Sequence, residues 1–267
     1  RTRVPEGTME FMAGVPTSAA HLELLEALCL EPLYASHYCE ENVYHLSVRY
    51  CALRETCPGS EGYAVFISNE LEQTPIWCQR MSDSPEEPVI WDYHVIFLLE
   101  SGGAVHVFDL DTTLSCPAAL SLYLARSFRP EVELKQPYRQ LFRVVPAADF
   151  VAHFASDRSH MLASPQSPST STSPSQSQSN AYQQPPPAWP CPRGPLALSS
   201  MNLPAFVSML GGPLPHAVTH TRAGADVENA NANADAESAE GEDTENKRLG
   251  FIHSLEEMLA WAEVPPT

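Results

Sequence analysis

The chain has 267 residues with 33 acidic against 15 basic side chains, a formal net charge of −18. The length suits one large domain or two small ones, and such acidity argues against nucleic acid as a partner, since a phosphate backbone would be repelled. There is no bilayer-length apolar run and no secretory pattern, and the seven irregularly spaced cysteines read as free thiols in a reducing compartment.

Residues 1–16 have no periodicity and are expected to be a flexible N-terminus. Thr17 to Leu30 predicts a helix, with Thr17 or Ser18 as N-cap and Leu22, Leu25, Leu28 and Cys29 near one face. Pro32 ends it. A second helix is expected from about Cys39, because Glu40 and Glu41 suit a first turn and Val43 and Leu46 begin an apolar pattern. Cys39 then sits at a helix N-terminus, where unpaired backbone N–H groups and the helix dipole favour a thiolate and could hold an oxyanion. Glu40 and Glu41 oppose that effect, so a histidine partner is required. On local sequence alone, Cys39 is better read as a small apolar residue at a helix start.

Tyr63 to Ser68 reads as a strand, Asn69-Glu70 as a turn, and Gln73 to Gln79 as a weaker strand whose Pro75 suggests an edge. Val89 to Leu99 is a run of β-branched, aromatic and aliphatic residues interrupted by His94. Ser101-Gly102-Gly103 and a second run, Ala104 to Asp111, complete a β-hairpin. A Ser101-Gly102 turn sets His94 opposite Asp109. A Gly102-Gly103 turn sets it opposite Asp111, with Asp109 diagonal on the same face. A three-residue turn would send Asp109 to the other face. An imidazole beside a carboxylate is also what a purely structural core histidine would show. Together these strands predict four antiparallel neighbours.

Further on, Ala118 to Phe128 predicts a helix, Gln140 to Val145 a fifth strand and Ala147 to Phe154 a short helix. Ala155 to Met161 is polar and irregular, a surface loop that lines a site only if the fold brings it there. Ser164 to Pro187 is mostly Ser, Thr, Pro, Gln and Asn. Residues 223–246 carry eight of the acidic side chains and no basic one. Neither stretch can bury enough apolar surface to offset the entropy of ordering. Disordered inserts are therefore expected at about 163–187 and 213–248, within a single catalytic domain over 17–267. Pro185 to Pro192 suits polyproline II, with a weak suggestion of an SH3-type ligand. Asn202 to Leu210 predicts a short helix capped by Asn202. Ser254 and Glu257 predict a capping box for a final helix to Ala262, with Leu249 to His253 leading in as a strand.

Cys39, His94 and Asp109 supply, in chain order, a thiol at a helix start and an imidazole and a carboxylate on neighbouring strands. Acyl chemistry needs these types: a thiolate attacks, an imidazole moves the proton, and a carboxylate fixes the tautomer and stabilises the imidazolium. The other histidines lack this setting; His37, near Cys39, is read as a loop residue. Cys51 and Cys57 lack the spacing of metal ligands, so no metal or cofactor is expected. The order and setting resemble papain-like and transglutaminase-like cysteine enzymes. The expected fold is therefore α+β, an antiparallel sheet with packed helices in that architecture.

Several motifs resemble the protein N-terminal glutamine amidohydrolase family. They are Tyr38 to Val43 (YCEENV), Tyr63 to Glu70, Pro75-Ile76-Trp77, the WDYHV run Trp91 to Val95, Asp109 to Thr112, Phe154 to Met161 (FASDRSHM), the Pro-rich run to Cys191, and Met201-Asn202-Leu203. The resemblance covers about Tyr34 to Phe206. It implies Cys39 as nucleophile, His94 as general acid/base and Asp109, rather than Asp111, as the orienting residue. It also implies substrates with a free N-terminal glutamine, a place in the N-degron pathway, a cytoplasmic and nuclear location and a monomer. The α-ammonium would need acceptors, for which Asp92, Asp157 or backbone carbonyls are candidates.

Overall fold

The computed structural model describes residues 18–163, 182–210 and 249–263. Eight strands and six helices appear among them, beginning with α1 (Ala19–Cys29) and α2 (Cys39–Leu53). Strands β1 (Glu61–Ser68), β2 (Thr74–Ile76), β3 (Val89–Trp91), β4 (His94–Ser101), β5 (Ala104–Phe108) and β6 (Ala118–Ala119) follow. Then come α3 (Leu120–Ser127), β7 (Leu141–Pro146), α4 (Ala147–His153), α5 (Leu203–Val207), β8 (Phe251–Ser254) and α6 (Leu255–Ala262). The fold is α+β, as expected.

The main sheet is antiparallel, in the order β6-β5-β4-β1-β7-β8. Its central strands read as almost unbroken apolar runs because both faces are covered. On one face Ala64, Phe66, Val95, Phe97 and Leu99 pack with α1, α2, α4 and α5. On the other, Val65, Ile67, Ile96 and Leu98 pack with α3 and α6. Gly62 lets α2 lie close to the sheet, since a Cβ there would come within 2.6 Å of the Tyr50 ring.

Two strand expectations are corrected. The four strands are not one set of neighbours: β2 pairs with β3 in a separate two-stranded ribbon, while β4 pairs with β1 and β5. The long run from Val89 is broken at Asp92-Tyr93, where Tyr93 N–H turns onto the Asp92 carboxylate at 2.8 Å instead of a ladder partner. The hairpin turns on Gly102-Gly103, with φ of +61° and +77°, which glycine adopts without a Cβ clash. Ser101 pairs with Ala104 and Phe97 with Phe108, so the second register holds.

Helix α1 is capped by Ser18, but its buried side is His21, Leu24, Leu25 and Leu28; Leu22 and Cys29 face solvent. Asn202 precedes α5 without capping it, because its side chain instead bridges Ala155 N–H and the His153 carbonyl. The Ser254–Glu257 capping box and its lead-in strand are present. Residues 1–17, most of both expected inserts and the chain after Glu263 lie outside the described residues. The 182–187 stretch, assigned above to the first insert, lies against the domain: Tyr38 OH donates to the Gln184 carbonyl at 3.1 Å and Arg158 to that of Pro187 at 3.2 Å.

Candidate active site

Cys39 is the first residue of α2. The chain entering it is clamped by the next turn of the helix: the Asn42 carboxamide accepts from Ala35 N–H at 2.8 Å and donates to its carbonyl at 2.9 Å. His37 adopts a left-handed conformation, with φ of +68°, in the turn before the helix. The leading N–H groups of a helix lack a partner one turn back. Here Glu41 N–H already bonds the Tyr38 carbonyl at 3.1 Å and Glu40 N–H meets its own carboxylate, so of the first turn it is the Cys39 N–H that is offered to an anion.

His94 opens β4 and Asp109 directly follows β5. In an antiparallel pair these two positions fall at the same end of the sheet. The His94 Nε2–Asp109 Oδ1 distance is 2.9 Å and both side chains are fully buried. The contact runs on the diagonal, not to the residue the register sets opposite. Asp109 is held on both oxygens: Oδ1 also accepts from Asp111 N–H at 2.9 Å, and Oδ2 from Gln79 Nε2 at 3.0 Å and Tyr123 OH at 2.8 Å. Trp91 stacks on the imidazole with ring centroids 4.9 Å apart. Sequence reasoning did not find Gln79, Tyr123 or Trp91, because each reaches the pair through tertiary packing.

The charges form one system. Burial would lower the His94 pKa, but the charge and hydrogen bond of Asp109, with Asp111 behind, outweigh it and hold the value above that of a free histidine. Burial would raise Asp109, but His94, Gln79 and the Asp111 amide bring it below the usual carboxylate range. Burial raises the Cys39 thiol well above its usual range, and Glu40, Asp111 and Asp92 add to this, while the Val95 backbone N–H favours the thiolate. That N–H belongs to the residue after His94, which brings the helix start and the head of β4 together. His94 Nδ1 is buried with no hydrogen-bond partner among the described residues.

His94, Asp109 and Asp111 offer ligand atoms within 4.8 Å of one another, the spacing of a metal site. However, Asp109 already faces four donors, and a cation there would repel them. The set suits holding an imidazolium better than holding a metal.

Two further groups surround Cys39. The first is Glu40, fully buried, whose Oε2 lies 3.8 Å from Cys39 Sγ and accepts from Tyr93 OH at 3.1 Å. Its Oε1 stands 3.6 Å from His160 Nε2. Burial and the neighbouring Glu41 raise its carboxyl, against its own backbone N–H and Tyr93, to about 7. The second is Glu41, which takes a fork from Arg158 at 2.7 and 2.8 Å and Trp189 Nε1 at 2.7 Å. The irregular stretch Ala155 to Met161 thus lines the site through Arg158 and His160. His160, read above among the histidines that lack the catalytic setting, stands beside Glu40 and so close to the thiol. Sequence alone marked Glu40 and Glu41 as first-turn acids opposing a thiolate, but gave no sign of their burial or partners.

Of the suggested ammonium acceptors, Asp157 is exposed and its oxygens already take Ser159 N–H at 3.0 Å and Ser200 OH at 3.1 Å. Asp92 is exposed, with Oδ1 used by Tyr93 N–H.

The N-terminal glutamine amidase family model matches residues 34–225. The protein N-terminal glutamine amidohydrolase of Danio rerio is 43% identical over 178 residues, 66% of this chain and 79% of the relative. That of Homo sapiens is 39% identical over 178 residues, covering 66% and 78%. That of Drosophila ananassae is 37% identical over 191 residues, covering 69% and 82%. With a match that takes in both the helix-start thiol and the His94–Asp109 pair, this chain belongs to the N-terminal glutamine amidase family.

Proposed function

We propose that this protein hydrolyses the side-chain amide of an N-terminal glutamine in proteins or peptides, giving N-terminal glutamate and ammonia. The observation that carries the reading is the His94 imidazole. It is bound through Nε2 to a fully held carboxylate, its Nδ1 has no hydrogen-bond partner among the described residues, and the N–H of the next residue, Val95, reaches the Cys39 thiol. The names of the relatives at 36–43% identity support the same chemistry.

Cys39 gives its proton to His94 Nδ1 and the thiolate attacks the carboxamide carbon, forming the C–S bond. The backbone N–H of Cys39, at the start of α2, helps to hold the oxyanion. The imidazolium returns its proton to the amide nitrogen, the C–N bond breaks and ammonia leaves a thioester. His94 then takes a proton from water, the C–O bond forms, and cleavage of the C–S bond releases glutamate and the thiol. Asp109 stabilises the imidazolium in both halves, and no step calls for a metal or cofactor. Asparagine is one methylene shorter, worth only about 1–3 kcal/mol by burial, and the misplaced carboxamide supplies the rest of the discrimination.

The finer expectations go with this reading: a papain-like or transglutaminase-like arrangement, a monomer, and a cytoplasmic and nuclear role in the N-degron pathway. Among the described residues no helix is long and apolar enough to cross a membrane. The test is mass spectrometry of a Gln-initiated peptide incubated with the protein, beside Cys39→Ala and an Nα-acetylated peptide. Conversion to the Glu peptide only with the free amine and intact Cys39 is expected. Conversion by Cys39→Ala removes the thioester, and cleavage or amine incorporation moves the reading to a protease or acyltransferase.

A further inference from the structure

The carboxylates around Cys39 make an anionic setting for a group that must itself become an anion, and one of them has an unused oxygen. Asp109 is saturated by four donors, and Glu41 is held by Arg158 and Trp189. Asp111 Oδ1 takes Tyr34 OH at 2.6 Å. Asp92 stands in solvent. Glu40 alone combines complete burial, contact with the sulfur and an oxygen, Oε1, with no hydrogen-bond partner among the described residues. A buried carboxylate oxygen with no hydrogen bond is costly, and a cationic ligand would relieve it.

The substrate supplies one. In a glutamine residue the α-nitrogen lies within about 5 Å of the carboxamide carbon, from ordinary bond lengths. A carbon poised for attack lies about 3–3.5 Å from the sulfur. The α-ammonium must therefore settle within about 8 Å of Cys39 Sγ. Glu40 lies inside that radius, its near oxygen 3.8 Å from the sulfur. His160, with 23% of its side chain exposed, stands 3.6 Å from Oε1, too far for a hydrogen bond. Its Nε2 is also 3.5 Å from Tyr93 OH. Two partly exposed rings, Tyr93 and His160, thus stand against this carboxylate.

We infer that Glu40, with Tyr93 and His160, forms the subsite that receives the α-ammonium of the N-terminal residue, the ammonium taking the place of His160 against Oε1. The inference rests on the deamidase reading and deepens it. An acetylated or internal glutamine brings no cation and leaves the carboxylate unpaired beside the nucleophile. A free N-terminus neutralises Glu40 and removes the charge opposing the thiolate, so recognition and activation are one event.

The test is binding, measured by calorimetry on Cys39→Ala protein, which cannot turn substrate over. Two peptides are compared: one beginning with Gln, and the same peptide with the α-amino group replaced by hydrogen. The expected result is that adding Glu40→Gln weakens the Gln peptide by about 100-fold, the scale for removing one partner of a desolvated charge pair, and leaves the des-amino peptide unmoved. Tyr93→Phe should weaken the Gln peptide less, in the same selective way. Equal loss for both peptides assigns Glu40 a merely structural role, and no loss for either places the ammonium elsewhere; both overturn the inference. A wild-type protein that releases no ammonia from the Gln peptide refutes the deamidase reading instead, whatever Glu40 does to binding.

Discussion

Replacing Asp109 with asparagine keeps the shape of the side chain and removes its charge, which separates packing from chemistry at the proposed site. One carboxylate oxygen becomes an NH2 group and must face groups that now donate. On the Oδ1 side they are His94 Nε2 and the Asp111 amide, 2.9 Å each, and the amide cannot reverse. On the Oδ2 side both can. Gln79 can turn its carboxamide to present Oε1, which has no partner among the described residues, and Tyr123 can accept while its hydroxyl hydrogen turns towards the neighbouring Ser127 Oγ. The introduced carboxamide should therefore seat with its NH2 on that side, at a stability cost of about 1 kcal/mol, one redistributed hydrogen bond. The chemistry loses far more. The charge that holds the His94 pKa up against burial is gone, so the imidazolium is no longer favoured. The kcat for ammonia release should fall about 1,000-fold, some 4 kcal/mol, with unfolding in urea little changed. Activity within about tenfold of wild type in a folded variant would refute the assignment of Asp109.

Glu40 should cost stability that its function requires. A carboxyl raised from 4.5 to about 7 binds a proton in the folded state that the unfolded chain releases, so stability falls as pH rises through that window. Glu40→Gln is expected to stabilise by up to about 3 kcal/mol at pH 8 and little near pH 4.5, and urea midpoints at the two values check it. His106 behaves in the opposite sense: burial, with His21 beside it at 5.2 Å between ring centroids, lowers its pKa from 6.5 to about 4. Its neutral form supports the fold above pH 6.5, and that support drains away as pH falls to about 4. His106→Asn should flatten the acid limb of the stability curve, and an unchanged limb would show that other groups govern it. Arg158→Met leaves the Glu41 charge buried without its counter-ion, held only by Trp189 Nε1, and should cost about 3 kcal/mol in urea unfolding. Arg158→Lys should recover only part, because an ammonium cannot make the fork.

What the sequence alone determined is local. The helix start at Cys39, the Ser18 cap and the Ser254–Glu257 box are legible because a helix end is decided by side chains within a few positions of it. The hairpin was legible to within two registers, because two glycines could form its turn in more than one way; packing of the full strands chose Gly102-Gly103. Even then the facing residue was Asp111; the family resemblance pointed to Asp109, and three-dimensional closure is what turns His94 diagonally onto it. The position of β1 between β4 and β7, and the separate β2–β3 ribbon, had no local marker, since continuous apolar strands carry no signal of their neighbours. Charge burial was the least legible. Glu40 and Glu41 have the look of ordinary first-turn acids, and the Arg158 that binds Glu41 is 117 positions away. Local sequence sets backbone conformation because its determinants lie a turn or a strand apart. Desolvation and long-range pairing depend on which segments the core brings together, so only the tertiary structure could distinguish a solvated acid from a buried carboxylate beside the thiol.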